Sequence, residues 1–361
     1  MTEAPNAPLA AAIARNPALV REISEHPERF RMLTGERPTG RLHVGHYFGT
    51  LQNRLRLQDL GVELFVLLAD YQVFTDRDIS AEIGQNVLEC MADYLAIGLD
   101  PERCTIFAHS YVPELNQLML PFLSLVSVSE LQRNPTVKEE IRSSNRPQVN
   151  GLMFTYPVHQ AADILFCKGN LVPGGKDQLP HVEVTRDIAR RFNERFGAGE
   201  AYFPEPEILL SNAPLLLGVD GKKMGKSLNN SINIGATAEQ TAKLIKGAKT
   251  DSIREVTYDP DQRPEVSNLV LLGSLAAGQS PEEFAAACAD GGGAGLKKAV
   301  TEAVNEFFRP IRERRGALLT DPGHLMSVLK TGNEHASGIA RQTLTDVRRL
   351  MGTDYYPLGN A

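Results

Sequence analysis

Pro38-Thr39-Gly40-Arg41-Leu42-His43-Val44-Gly45-His46 is the stretch from which the fold is read. It lies between a short apolar run, Phe30 to Leu33, and a long helical pattern. Its physical reading is a strand, a tight Gly/Pro turn, and a helix whose first turn carries two histidines around a glycine. A helix N-terminus offers unpaired N–H groups and a partial positive charge to an anion. Gly45 leaves room for a flat or bulky group against the backbone. His43 and His46, three positions apart, share one face of the turn and can donate to phosphate oxygens. A nucleotide site is expected here.

Working outward, Val44, Phe48, Leu51 and Leu55 recur at helical spacing, and Gly61 closes that helix. Leu64 to Ala69 is a continuous apolar run ending at Asp70, the pattern of a buried parallel strand. Ile83, Val87, Met91 and Leu95 mark a second helix ended by Gly98, and Thr105 to Ala108 a third strand. This β-α-β-α-β order predicts an α/β fold with a doubly wound parallel sheet, Rossmann-like, whose ligand binds at the carboxyl ends of the strands. The turn Gly35–Gly40 and the stretch Asp70–Thr75 fall there. Residues 113–165 read as mostly helical, interrupted at Pro121 and Pro135, and 174–178 as another strand-to-helix turn. A polar loop, 221–230, follows the apolar residues 215–219. After about residue 235 strand patterns stop, and helical runs continue, broken at Gly291–Gly293. The expected organisation is an N-terminal extension (1–28) packed loosely, with short helices between its prolines, a Rossmann-like domain (29–235) and an all-helical domain (236–361).

With 361 residues, 42% hydrophobic and 23% charged, the chain has the composition of a globular protein large enough for two domains. A net charge of −6 excludes a general affinity for nucleic acid, so an RNA partner must meet a local basic surface. Cys90, Cys104, Cys167 and Cys288 show no C-x-x-C spacing, which argues against zinc or a disulfide framework and for buried free thiols. No metal ligands are expected from the chain. With no membrane-length apolar run and no signal-peptide pattern, a cytoplasmic location is expected.

The loop Lys223-Met224-Gly225-Lys226-Ser227 carries two lysines and a hydroxyl. Alone it reads as solvated surface. About 180 residues after H-x-G-H, it supplies a cationic clamp for the far end of a triphosphate. With both motifs in this order, the chain resembles the class I aminoacyl-tRNA synthetases. Thr155-Tyr156-Pro157, Ala161-Ala162-Asp163-Ile164-Leu165 and Gly175-Lys176-Asp177-Gln178, continuing through His181, Glu183 and Thr185-Arg186-Asp187, make it similar to the tryptophanyl-tRNA synthetases. The likeness covers roughly residues 30–350.

That resemblance implies the following roles. His43, His46, Lys223 and Lys226 would be catalytic, as donors to the charge that builds when a carboxylate attacks the α-phosphorus of ATP. Arg37, Pro38, Thr39, Gly45, His46, Gly175, Lys176, Asp177, Met224, Gly225 and Ser227 would join the lysines around ATP, and Mg2+ would arrive with ATP. Asp163 would accept the indole N–H of L-tryptophan, since indole only donates. Tyr156, Gln178, Gln160 and Gln72 would complete the amino-acid site. The partners implied are tRNA(Trp) and a second copy of the chain, as a homodimer. Arg309, Arg312, Arg314, Arg315, Arg341, Arg348 and Arg349 are candidate RNA-phosphate contacts. The chain departs from the pattern at Arg37, Gln72, Gln160 and Gly225. Two other readings stand beside this one: a tyrosine-specific sister enzyme, and an auxiliary paralogue that binds tryptophan or ATP mainly to regulate or interact.

Overall fold

The structure, a computed structural model, describes residues 7–75, 82–143, 148–211, 215–225 and 230–355. Five parallel strands form one sheet in the order β3-β2-β1-β4-β5: β1 (Arg31–Glu36), β2 (Glu63–Leu68), β3 (Cys104–Ala108), β4 (Leu171–Gly174) and β5 (Glu207–Leu210). The winding reverses between β1 and β4, which opens a crevice at their carboxyl ends.

The alternation along β2 explains the layering. Leu64, Val66 and Leu68 join one apolar cluster, and Phe65 and Leu67 join the other. The first lies against the helix Ile83–Ile97 and the long helix Gly292–Leu319, through Leu296, Val300, Val304 and Phe308. The second takes the helices Gly151–Leu165 and Leu179–Phe196, and Ala336, Ala340, Leu344 and Val347 of the last helix, Pro322–Leu350. The helices after residue 235 therefore share both cores with the sheet. Glycines end the first two crossover helices as the sequence indicates: Gly61 has φ 92° and Gly98 φ 113°.

Both sheet edges are covered, which protects their unpaired backbone groups. On the β3 edge, Asn333 Oδ1 accepts the Ala108 N–H at 2.9 Å, and Gly332 lets the last helix lie directly on the Ile106 carbonyl. On the β5 edge sits the helix Ala7–Glu25. Leu19 and Ile23 are fully buried, Leu210 N–H donates to Asn16 Oδ1 at 2.9 Å, and Arg15 pairs with Glu207. This corrects the reading of a loose extension. The helix is also continuous through Pro17, because the carbonyl that loses its N–H partner belongs to the solvent-exposed Ile13.

A second correction concerns the arginines. Arg315 is buried against Glu89 and Asp93, Arg314 donates to the Ala96 carbonyl, and Arg312 donates to Asn305 and Thr241. Arg315 is buried and Arg312 half-buried, so these two anchor the helix rather than form an RNA surface, while Arg314 stays exposed. Arg309, Arg341, Arg348 and Arg349 remain exposed, each beside an acid or amide of the chain. The four cysteines are free and buried, as expected.

Candidate active site

The crevice holds a cleft of ≈ 440 Å³. The ends of β1 and β4 form its floor, His46, Thr50 and Arg54 one wall, and Tyr156, Gln160 and Asp163 the other. Gln72, Asp177, Gln178, His181 and Glu140 complete the lining.

The H-x-G-H turn starts a helix at Val44, which passes through a π-helical segment, Tyr47–Leu51, into Gln52–Leu60. His43 N–H donates to His46 Nδ1 at 3.1 Å, and the two rings lie 3.7 Å apart between centroids. An accepting Nδ1 puts the His46 proton on Nε2. His46 lines the cleft, whereas His43 is buried behind it. The start of this helix is pinned from below: Leu42 N–H donates to Asp93 Oδ2 at 3.4 Å, and Asp93 accepts from Arg315 Nε at 2.6 Å. Burial pushes the Asp93 carboxyl up to about 6 against the pull of Arg315.

The lysine loop is bolted to this turn. Val44 N–H donates to the Ile232 carbonyl at 2.9 Å and Ile234 N–H to the Leu42 carbonyl at 3.0 Å, around an antiparallel bridge between His43 and Asn233. Met224 packs on Gly45 so closely that a Cβ there would stand 3.0 Å from Met224 Sδ. The room that Gly45 leaves is thus lined by the second motif. Lys223 is exposed and bridges Leu217, and Gly225 follows in the described part of the loop. Lys226 and Ser227 lie outside the described residues.

On the other wall, Asp163 is 1% exposed. Its Oδ1 accepts from His109 Nε2 at 2.8 Å, and its Oδ2 has no hydrogen-bond partner. A buried acceptor left open at a cleft is suited to a ligand that only donates. Tyr156 OH and His181 Nε2 share a hydrogen bond at 3.1 Å. Burial depresses His181 to about 4 and raises Tyr156, with Glu140 adding to the rise. Gln160 Nε2 donates to Gln178 Oε1 at 3.3 Å, and Gln178 Nε2 to Asp177 Oδ2 at 2.9 Å, so the three side chains form one chain of bonds along the cleft. The Asp177 carboxylate folds over Gly175, where a Cβ would stand 2.7 Å from Oδ1. Arg37 lines the cleft and donates to Thr75 Oγ1 at 3.1 Å, on the short 3₁₀ segment that carries Gln72. Lys176 is exposed, Pro38 is buried, and Thr39 N–H donates to the Arg37 carbonyl at 2.8 Å.

A sequence profile of the family described as tRNA synthetases class I (W and Y) matches residues 25–309. The chain belongs to the class I aminoacyl-tRNA synthetases of the tryptophan and tyrosine family. The synthetase is 38% identical to the tryptophan–tRNA ligase of Clostridium longisporum over 332 residues, 90% of this chain and 97% of that one. It is 39% identical to that of Treponema pallidum over 337 residues, 91% and 98% of the two chains. Among solved structures, a tryptophanyl-tRNA synthetase from Campylobacter jejuni complexed with ADP and tryptophan matches at a TM-score of 0.78 and 30% identity, covering 90% of this chain and all of that one. A tyrosyl-tRNA synthetase from Archaeoglobus fulgidus, at TM-score 0.64 and 23% identity over 82% of this chain and 93% of that one, shares the fold.

Several residues that shape the synthetase's cleft escape a reading of the sequence. Arg54, 2% exposed, pairs with Glu36 at 3.2 Å, and Tyr94 OH donates to the same carboxylate at 2.9 Å, which fixes the end of β1. The only signal was a cation on the apolar face of a helix. Asn230, 2% exposed, organises the lysine loop. Its amide donates to Asp220 Oδ1 and to the Lys223 carbonyl, each at 3.0 Å, and its Oδ1 accepts the Gly225 N–H at 3.1 Å. His109 is fixed on Asp163 from 54 positions away.

Proposed function

We propose that this synthetase activates L-tryptophan with ATP, giving tryptophanyl-adenylate and pyrophosphate, and transfers the tryptophanyl group to tRNA(Trp). The carrying observation is the buried Asp163 with one oxygen held by His109 and the other open at the cleft. Indole has a single polar atom, an N–H that donates, and phenylalanine has none. Relatives named tryptophan–tRNA ligase along nearly the full chain support the reading, as does a family member solved with ADP and tryptophan.

In the first step an oxygen of the tryptophan carboxylate bonds to the α-phosphorus, and the bond from that phosphorus to the bridging oxygen breaks, releasing pyrophosphate. Negative charge builds on the phosphoryl oxygens and the leaving group. His46 Nε2–H at the helix start and Lys223 with Lys226 and Ser227 on the loop are the donors for that charge. One well-placed donor is worth roughly 3 kcal/mol, or 10²–10³ in rate. His43 positions His46 through its backbone N–H. Asp177 and Gly175 take the ribose, and Tyr156 and Gln178 the α-amino group. No side-chain nucleophile is needed. Mg2+ bound to the triphosphate would supply neutralisation of phosphate charge. In the second step a ribose hydroxyl at the tRNA end attacks the adenylate carbonyl, and AMP leaves.

Residues 236–361 would read the anticodon, with Arg309, Arg341, Arg348 and Arg349 as exposed cations. We also propose a homodimer located in the cytoplasm. Among the described residues no helix is long and apolar enough to cross a membrane. The test is charging of a tRNA(Trp) transcript with labelled tryptophan. Efficient charging is expected. Adenylate formation without charging would instead favour the auxiliary paralogue.

A further inference from the structure

His159 and Asp163 stand one turn apart on the helix Gly151–Leu165, and His109 follows the last residue of β3. All three are at most 2% exposed. One ligand atom from each lies within 4.8 Å of the other two. The His109 and His159 rings stack at 4.3 Å between centroids. Besides the His109–Asp163 bond, the cluster buries four polar atoms with no hydrogen-bond partner: Asp163 Oδ2, His109 Nδ1 and both ring nitrogens of His159. Native proteins seldom leave a buried polar atom unpaired without a reason. The indole of the proposed substrate satisfies Asp163 Oδ2 alone. It leaves His159 unexplained, although a ring nitrogen of this residue lies within 4.8 Å of the same carboxylate.

We propose that His109, His159 and Asp163 form a site for a divalent transition metal of the zinc class, and that metal bound there competes with tryptophan for Asp163. The competition, though not the metal site itself, rests on the reading that Asp163 receives the indole N–H. Two imidazoles and one carboxylate are a donor set for zinc, cobalt or ferrous iron rather than for calcium or magnesium, which prefer oxygen alone. Histidine and aspartate four positions apart on a helix present their donors on one face. Tetrahedral bonds of about 2.0–2.1 Å put ligand atoms roughly 3.3 Å apart, and the three donors already lie within 4.8 Å of one another. Asp163 borders the cleft, so a metal held on it would adjoin the amino-acid site. Such a site would make amino-acid activation respond to free transition metal while Mg2+ supports the chemistry.

The test uses the full-length protein, stripped with chelator, and cobalt(II) as the probe. The expected result is one equivalent of cobalt per chain with visible d–d absorption, displaced by zinc. Binding should weaken at least about tenfold in His159→Gln and in His109→Gln, each ligand contributing to one shared site. Asp163→Asn, similar in size to the native residue, should lose the absorption too, and thermal melting checks that each variant is folded. Tryptophan should weaken cobalt binding. Reciprocally, in pyrophosphate exchange with Mg2+ present, zinc at ten times its dissociation constant should raise the apparent KM for tryptophan about tenfold, with kcat unchanged. No absorption at millimolar cobalt, or absorption unchanged in folded variants, overturns the site. Cobalt binding indifferent to tryptophan overturns the competition. If cobalt binds as expected but tryptophan supports no exchange, the metal site stands and the proposed function falls. Exchange with tryptophan and no cobalt binding is the reverse.

Discussion

Asn230→Ala tests how the lysine loop is held. The side chain makes three hydrogen bonds, at 3.0, 3.0 and 3.1 Å, to Asp220, the Lys223 carbonyl and the Gly225 N–H. They bracket the described part of the motif on both sides of Met224. A net contribution of about 1 kcal/mol for each bond gives about 3 kcal/mol for the ordered loop. If the loop must be ordered to grip the pyrophosphate end of ATP, that loss lowers kcat/KM for ATP about 10²-fold. The Val44–Ile232 and Ile234–Leu42 backbone bonds survive the change, so the fold should persist. Asn230→Asp keeps the acceptor for Gly225 but loses both donors and sets a second carboxylate against Asp220. It should be at least as damaging. The assay is pyrophosphate exchange against ATP concentration at saturating tryptophan, with thermal melting alongside. A folded Asn230→Ala protein with less than a threefold loss would refute the reasoning.

Three further outcomes are expected. Gly225 is not among the described glycines with positive φ, so its backbone does not demand glycine. Gly225→Ser should speed exchange about two- to fivefold by removing roughly 0.5–1 kcal/mol of loop-ordering cost, and equal rates would count against this. His181, depressed to about 4 by burial from an ordinary value near 6.5, binds fewer protons folded than unfolded between those values. Its contribution is present above pH 6.5 and is lost as pH falls toward 4, about 2 kcal/mol by pH 5. Urea unfolding at pH 7.5 and 5 should show a smaller pH loss for His181→Gln than for the native protein, and identical losses would contradict the assignment. Asn16→Ala removes both bonds to the Leu210 backbone, at 2.9 and 3.3 Å, and leaves the β5 edge less protected. It should cost about 1–2 kcal/mol in urea unfolding, and a loss below 0.3 kcal/mol, within the scatter of ordinary surface substitutions, would mean the helix is not anchored there.

The first half of the sheet was legible because β1 to β3 are apolar runs punctuated by Gly61 and Gly98. The second half showed only through the strand-to-helix turn at 174–178, where β4 ends, and β5 was missed. β4 and β5 span four residues each, and β4 contains Pro173, so neither carries a clear strand pattern. The pairing of β1 with β4 joins Met32 to Leu171, a partnership no local signal contains. Both motifs announced themselves through residue types that chemistry requires, histidine at a helix start and lysine on a loop. What holds those motifs stayed hidden. Asn230 looks like any loop asparagine, and Arg315 looks like a surface cation until Glu89 and Asp93 are brought to it. His159 and Asp163, four positions apart on one helix, share a face that the sequence reading did not single out. The approach of His109 needed the fold.

The central claim is that Asp163 reads the indole N–H, and pyrophosphate exchange with tryptophan, tyrosine and phenylalanine tests it on the native protein and on Asp163→Asn. Tryptophan should be the substrate, with phenylalanine worse by about 10⁴ in kcat/KM because it leaves the buried carboxylate unpaired. Asp163→Asn should lower kcat/KM for tryptophan by about 10- to 10²-fold, the loss of a bond to a charged acceptor worth roughly 1.5–3 kcal/mol. Preference for tyrosine, or an Asp163→Asn enzyme as efficient with tryptophan as the native one, would contradict the account.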